Sequence, residues 1–135
     1  MIGVVVCTHA GLSTALLDAA RMILGNFEHA KAVSVDSGDS PEVIQERLKE
    51  AVASVDQGAG VLVLCDMFGG TPSNMSLSLL SDRVEVVTGV NLPMLLKFHS
   101  SRAMELKVVA ETVQTYGREN ILVAGALLQN RGAAT

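Results

Sequence analysis

Residues 61–74 read VLVLCDMFGGTPSN, and this stretch decides the fold class. The run Val61–Cys65 is short, continuous and apolar, which is typical of a parallel strand covered by helices on both faces. A polar, glycine-rich loop follows at once, and Pro72 near the start of the next segment predicts a helix over residues 71–80. A buried strand, a loop and a helix in this order form the repeating unit of an α/β protein.

Strands and helices alternate along the rest of the chain as well. Short apolar runs predict strands, and apolar residues at helical spacing predict helices. The predicted strands cover residues 2–7, 32–35, 61–65, 83–88 and 121–125, and the predicted helices cover residues 12–24, 41–54, 71–80, 93–99 and 103–116. Gly117 is expected to end the last helix, and the tail from about 127 to 135 is expected to fray. The sequence therefore predicts one α/β domain over residues 1–135, a three-layer sandwich around a mostly parallel sheet.

Charge and composition narrow the classes of function. With 135 residues, a net charge of −4 and no run of Lys or Arg, the chain lacks the clustered cations that a nucleic-acid interface needs. Cys7 and Cys65 lie far apart and form no secreted disulfide pattern, which favours a reducing compartment. Residues 1–6 lack the basic region of a signal peptide, and no stretch approaches the ~20 apolar residues of a membrane span. The sequence thus predicts a soluble, cytoplasmic protein.

Three polar residues follow predicted strands. His9, Asp66 and Asn91 come after the first, third and fourth strands, so they meet at one rim if these strands are neighbours. The neutral imidazole of His9 is a good nucleophile that can carry a phosphoryl group while Asp66 accepts a hydrogen bond from its other ring nitrogen. The alternative is a structural histidine at a strand end that bonds a loop carbonyl.

The loop after Asp66 has the composition of a phosphate cradle. Gly69 and Gly70 would let backbone amides approach an anion, with the hydroxyl groups of Thr71 and Ser73 nearby. The alternative is a plain turn followed by a helix cap. The sequence has neither GxxxxGK[ST] nor GxGxxG, so nucleotide hydrolysis is not predicted.

A metal site is a second chemistry for residues of these types. Cys7, His9, Cys65 and Asp66 are all potential zinc ligands. However, Cys65 and Asp66 are adjacent along a strand and should point to opposite faces, and the chain has no CxxC-like pair. The two cysteines are therefore predicted to be core residues, and neither a metal nor another cofactor is expected.

Four segments together resemble a known family. They are VVVCTH at residues 4–9, ARMILG at residues 20–25, DMFGGTPSN at residues 66–74 and GVNLPM at residues 89–94. In this order, and over nearly the whole chain, they resemble the mannose-family EIIA domain of the bacterial phosphoenolpyruvate-dependent sugar phosphotransferase system. The segment at residues 66–74 is the most specific of the four.

The resemblance implies a phosphotransferase component. His9 would accept a phosphoryl group from the phosphohistidine of HPr and pass it to a separate EIIB component, and Asp66 would hydrogen-bond the active imidazole. The resemblance also implies a sheet of order 2-1-3-4 and a homodimer whose subunits exchange an antiparallel C-terminal strand, here residues 121–125. Contact with the membrane would come only through EIIC and EIID partners.

One residue departs from the family pattern. The family commonly has glycine directly after the active histidine, where this chain has Ala10 followed by Gly11. The extra methyl group is expected to affect the rate of transfer more than its occurrence. Two alternatives to sugar uptake stay open: the similar phosphocarrier of dihydroxyacetone kinase, and a regulatory binding module that is controlled by phosphorylation of His9.

Overall fold

Helices cover both faces of a parallel sheet, and the computed structural model describes residues 1–133, with the side chains of residues 1–129. The strands are β1 Gly3–His9, β2 Ala30–Val35, β3 Val61–Cys65 and β4 Val84–Thr88; the helices are α1 Leu12–Leu24, α2 Pro41–Val55, α3 Thr71–Leu77, α4 Leu92–Ser101, α5 Leu106–Glu119 and α6 Ala124–Ala133. The strand order is β2-β1-β3-β4, and all neighbouring strands are parallel. The predicted α/β fold and strand order are confirmed. No helix within residues 1–133 combines the length and apolar character needed to cross a membrane.

The two central strands are apolar over residues 4–7 and 61–65 because each of their faces lies under helices there. Alternate residues of a strand point to opposite sides of the sheet. One set, which includes Val4 and Leu62, packs against α1, α4 and α5. The other set, which includes Val5 and Val63, packs against α2 and α3. This double burial explains why β1 and β3 read as continuous apolar runs rather than as alternating ones.

The C-terminal segment differs from the prediction. The strand predicted at residues 121–125 is wrong for this single chain, since residues 121–123 have no regular secondary structure and α6 begins at Ala124. Isoleucine and valine favour strands, but a strand needs a partner edge, and this segment pairs with none within the described chain. The helix α6 continues to Ala133 and so covers most of the tail for which the sequence predicts fraying; residues 134–135 lie outside the described part.

Gly117 lies inside a helix rather than after it. The sequence predicts that this glycine ends the fifth helix, but α5 continues through it to Glu119. Gly117 faces Met94 of α4, and a Cβ atom at this position would lie only 2.5 Å from the Met94 Cγ atom. The glycine therefore permits α4 and α5 to approach closely, and this packing outweighs its usual tendency to end a helix.

Candidate functional site

His9 and Asp66 lie side by side at the carboxyl ends of the two central strands. Cys7 of β1 is in register with Cys65 of β3, so the residues that follow reach the same rim of the sheet. Oδ2 of Asp66 accepts a hydrogen bond from the backbone N–H of His9 at 3.0 Å and lies 2.8 Å from Nδ1 of the His9 ring. The structure thus brings these two predicted site residues into direct contact.

The contact with Asp66 determines which ring nitrogen of His9 is available. A carboxylate only accepts hydrogen bonds, so Nδ1 carries the proton and Nε2 keeps a free lone pair. Burial raises the pKa of Asp66, but the hydrogen bonds and charge of His9 outweigh burial and bring that pKa below its ordinary value. Asp66 is therefore ionised at neutral pH. The His9 side chain is 49% exposed, so a large partner can reach Nε2.

Gly70 packs against the side of the His9 ring that carries Nε2. A Cβ atom at Gly70 would lie 2.8 Å from Cε1 and 3.3 Å from Nε2 of His9, so the position has no room for a side chain. Within residues 1–133, the backbone N–H groups of Gly70 and Thr71 have no hydrogen-bond partner. The loop therefore has two free amide donors, on the residue that packs against the His9 ring and on the residue that follows it.

The four residues of the predicted phosphate cradle form two pairs, one that holds the loop in shape and one that lies beside His9. Ser73 is fully buried, and its hydroxyl group accepts the Gly69 N–H at 2.9 Å and donates to the Gly70 carbonyl at 3.1 Å. Gly69 has a positive φ of 91°, which favours glycine at this turn. Ser73 and Gly69 thus hold the loop in shape, whereas Gly70 and Thr71 lie beside His9.

Asn91, the third polar residue at a strand end, has a structural role. Its side-chain oxygen accepts the Met94 N–H at 3.1 Å and so caps α4, and its side-chain amide donates to the Gly117 carbonyl of α5 at 3.1 Å. Both ends of the amide are therefore used to join the two helices. The strand order places Asn91 at the same rim as His9 and Asp66, as predicted, but its side chain bonds α4 and α5.

Ala10 has a backbone conformation that favours glycine. Its φ is +49°, in the left-handed region that costs an L-residue with a side chain about 1 kcal/mol or more. Its N–H donates to the carbonyl of Val35 at 2.9 Å, which ties the residue to β2. The preference of the resembled family for glycine after the histidine has a physical reason here, because the chain must turn sharply from β1 towards α1.

The sequence prediction missed the loop between β2 and α2. A cavity of about 480 Å³ opens beside His9, and its lining includes Asp36, Asp39 and Thr71. The loop lies there because β2 is the neighbour of β1 and its carboxyl end reaches the same rim. Asp36 and Asp39 come after the end of β2, just as Asp66 comes after the end of β3. Their position after a predicted strand could have identified them from the sequence.

The cysteines lie in the core next to the site. Cys7 and Cys65 are fully buried, and burial raises the pKa of Cys7 to about 12 and raises the pKa of Cys65 as well. Both thiols are therefore protonated at neutral pH. Within residues 1–133, no three His, Cys, Asp or Glu side chains are grouped closely enough to hold a metal ion.

Comparisons with known proteins show which family the chain resembles over most of its length. Residues 3–115 match the family model EIIA-man, described as PTS system fructose IIA component. The chain is 30% identical to the fructose-specific EIIA component of Bacillus subtilis over 96% of this chain and 90% of that protein. It is 34% identical to the mannose-specific EIIAB component of Escherichia coli K12 over 89% of this chain but only 38% of that protein.

A solved structure extends the likeness to the fold. The crystal structure of phosphotransferase system component EIIA from Streptococcus agalactiae aligns with a TM-score of 0.85 and 27% identity, over 93% of this chain and 99% of that one. Sequence and fold therefore agree over nearly the whole chain. The chain belongs to the mannose-family EIIA components, the phosphocarriers of sugar phosphotransferase systems.

Proposed function

We propose that residues 1–135 act as a single phosphocarrier domain in the cytoplasm, which takes a phosphoryl group from the phosphohistidine of HPr onto Nε2 of His9 and passes it to an EIIB component. The contact between Asp66 and Nδ1 of His9 supports this proposal most strongly, because in the neutral ring it places the proton on Nδ1 and leaves the lone pair on Nε2, in a side chain that is half exposed. Neither a metal nor a nucleotide takes part in the proposed reaction.

The transfer needs only two imidazole rings and one carboxylate. The lone pair of Nε2 attacks the phosphorus atom, the P–N bond of the donor breaks, and the donor ring leaves with that electron pair. The His9 ring then carries positive charge, with its Nδ1 proton still held by Asp66, whose negative charge compensates it. The same steps in reverse deliver the phosphoryl group to an acceptor.

The test of this proposal is transfer itself. The chain is incubated with phosphoenolpyruvate, enzyme I and HPr, and the phosphorylated residue is located by mass spectrometry under alkaline conditions. Acid-labile phosphate on His9 is expected, followed by its loss when EIIB is added. Phosphate on another residue, or none at all, would contradict the proposal.

Gly70 and Thr71 are the proposed contacts of the phosphoryl oxygens, in a loop that Gly69 and Ser73 hold in place. Gly70→Ala is expected to slow transfer by about 10- to 100-fold, because the new methyl group displaces the His9 ring by a fraction of an ångström or more. The rate of His9 labelling in stopped reactions measures this effect. Gly11→Ala is the matched control, since its Cβ would meet no atom within 4 Å and its rate should be unchanged. Equal rates for both variants would contradict the proposed packing.

The chain is also proposed to form a homodimer by exchange of residues 121–125 between subunits. Ile121 and Val123 are each 76% exposed in the single chain, so their burial would stabilise a dimer. The open edge of β4 has room for another strand, because a groove of about 380 Å³ lies between β4 and α5. The first turn of α6 would unwind in this exchange.

The dimer is tested by sedimentation at micromolar concentration. Val123→Asp should give a monomer, because the charge would be buried in the exchanged strand. Leu128→Asp, which changes an exposed residue of α6 beyond that strand, should remain a dimer. A monomeric wild-type chain would refute the exchange.

A further inference from the structure

The cavity beside His9 contains negative charge and no opposing cation in its lining. The lining includes His9 and the two carboxylates of Asp36 and Asp39. Asp66 adds a third carboxylate on the other side of the His9 ring. A phosphoryl group on Nε2 brings a further charge of about −1.5 to −2 into this surrounding. Whether the carboxylates are neutralised therefore decides how stable that group is.

Asp39 is neutralised by Arg47. The Arg47 guanidinium donates to the two oxygens of Asp39 at 2.8 and 3.3 Å, and it also bonds the Ser34 carbonyl at 3.2 Å. This pairing lowers the pKa of Asp39, with the backbone N–H of Asp36 adding to the effect. The two-point contact cancels most of the Asp39 charge and fixes the loop against α2.

Unlike Asp39, Asp36 has no bonded cation among the described side chains, although its backbone is fixed. Its backbone is fixed, because its N–H donates to Asp39 Oδ2 at 2.9 Å and its carbonyl accepts the Asp39 N–H at 3.1 Å. Its side chain is exposed, and among the side chains of residues 1–129 its carboxylate has no hydrogen bond or ion pair. Arg47 is nearby, but its guanidinium is bound to Asp39. The charge of Asp36 therefore lies at the cavity wall without a bonded cation in the described part of the chain, and Arg47 acts on it only through space.

We propose that the negative charge of Asp36 repels the phosphoryl group on His9. This repulsion makes the phosphoryl group easier to transfer away from His9. The inference rests on the proposed function and goes beyond it, since it names the residue that sets the transfer equilibrium. Like charges within a Debye length of about 8 Å repel each other even in water. When a partner places a Lys or Arg opposite Asp36, the repulsion is weaker while the two proteins are in contact. The repulsion returns when the partner leaves.

The test compares equilibria rather than rates. Wild type, Asp36→Asn, Asp36→Glu and the control Asp18→Asn, which removes the same charge from an exposed position of α1, are each equilibrated with a limiting amount of phosphorylated HPr. The ratio of phosphorylated chain to phosphorylated HPr is measured at low salt and at high salt. Asp36→Asn should favour the phosphorylated chain about three- to tenfold over wild type at low salt, and the difference should shrink at high salt. Asp36→Glu and Asp18→Asn should stay near wild type.

Three outcomes would overturn the inference, and they are distinguishable. If His9 is phosphorylated in wild type but Asp36→Asn has the same equilibrium at low salt, the role of Asp36 is refuted and the phosphocarrier function stands. If wild-type His9 takes up no phosphate, the proposed function fails and this inference fails with it. A shift that is equal at low and high salt would also refute the electrostatic role, because a structural change is not screened by salt.

Discussion

His9→Ala is expected to abolish acid-labile phosphate on the chain when phosphoenolpyruvate, enzyme I and HPr are present. The substitution removes Nε2, the nitrogen that the contact between Nδ1 and Asp66 leaves free. The other two histidines do not have this arrangement: the His99 ring packs edge-on against Phe27 at 5.3 Å, and His29 lies between α1 and β2 with a positive φ of 51°. Residual labelling should therefore fall below detection, whereas folding is kept because His9 is exposed.

The matched control for this substitution is His29→Asn. Asparagine tolerates the left-handed backbone conformation that His29 adopts, so the variant should fold and be labelled like wild type. Asp66→Asn gives a graded comparison, since an amide can still accept hydrogen bonds from His9 but lacks the charge that compensates the phosphorylated ring. It should be labelled on His9 at a rate lower by roughly a hundredfold. Undiminished labelling of His9→Ala would refute the assignment of His9.

The central part of the site could be predicted because burial is visible in the sequence. Residues 4–7 and 61–65 are apolar at every position, which marks them as parts of central strands, and the polar residues that end such runs lie near the rim. Asp66 follows the second run directly, and His9 follows the first after the buried Thr8. Their contact further requires that β1 and β3 be neighbours, and the alternation of strands and helices does not specify this. The strand order was instead implied by the resemblance to the EIIA family.

The other features depend on tertiary contacts, which cannot be predicted from the spacing of residues along the sequence. Ser73 reads equally well as a phosphate ligand or as a loop support, and the path of the loop decides between them. Asp39 and Arg47 are eight residues apart in a loop and a helix, so their pairing becomes visible only once β2 lies beside β1. Gly117 likewise resembles a helix end until the side chain of Met94 is found against it.

Arg102 is expected to be the residue whose loss most destabilises the fold. Its side chain is buried and donates to three backbone carbonyls: to Ile2 at 2.9 Å, Glu28 at 2.8 Å and His29 at 3.1 Å. Its guanidinium also lies 4.9 Å from the ring centre of Phe98. This one side chain thus joins the end of α4 to the start of β1 and to the loop before β2. Burial lowers the pKa of Arg102, so these bonds offset a substantial desolvation cost.

Arg102→Met keeps the apolar length of this side chain but removes its three hydrogen bonds to backbone carbonyls, of which the His29 carbonyl still accepts the Val4 N–H. A hydrogen bond to a charged group contributes about 1.5–3 kcal/mol, so the free energy of unfolding should fall by roughly 3–5 kcal/mol. Urea unfolding would show this as a lower midpoint with an unchanged slope. Arg83→Met is the matched control, because its guanidinium bonds Asp56 at the surface, where an ion pair contributes less than about 1 kcal/mol. If the two variants lost equal stability, the buried guanidinium would not be what joins these three segments.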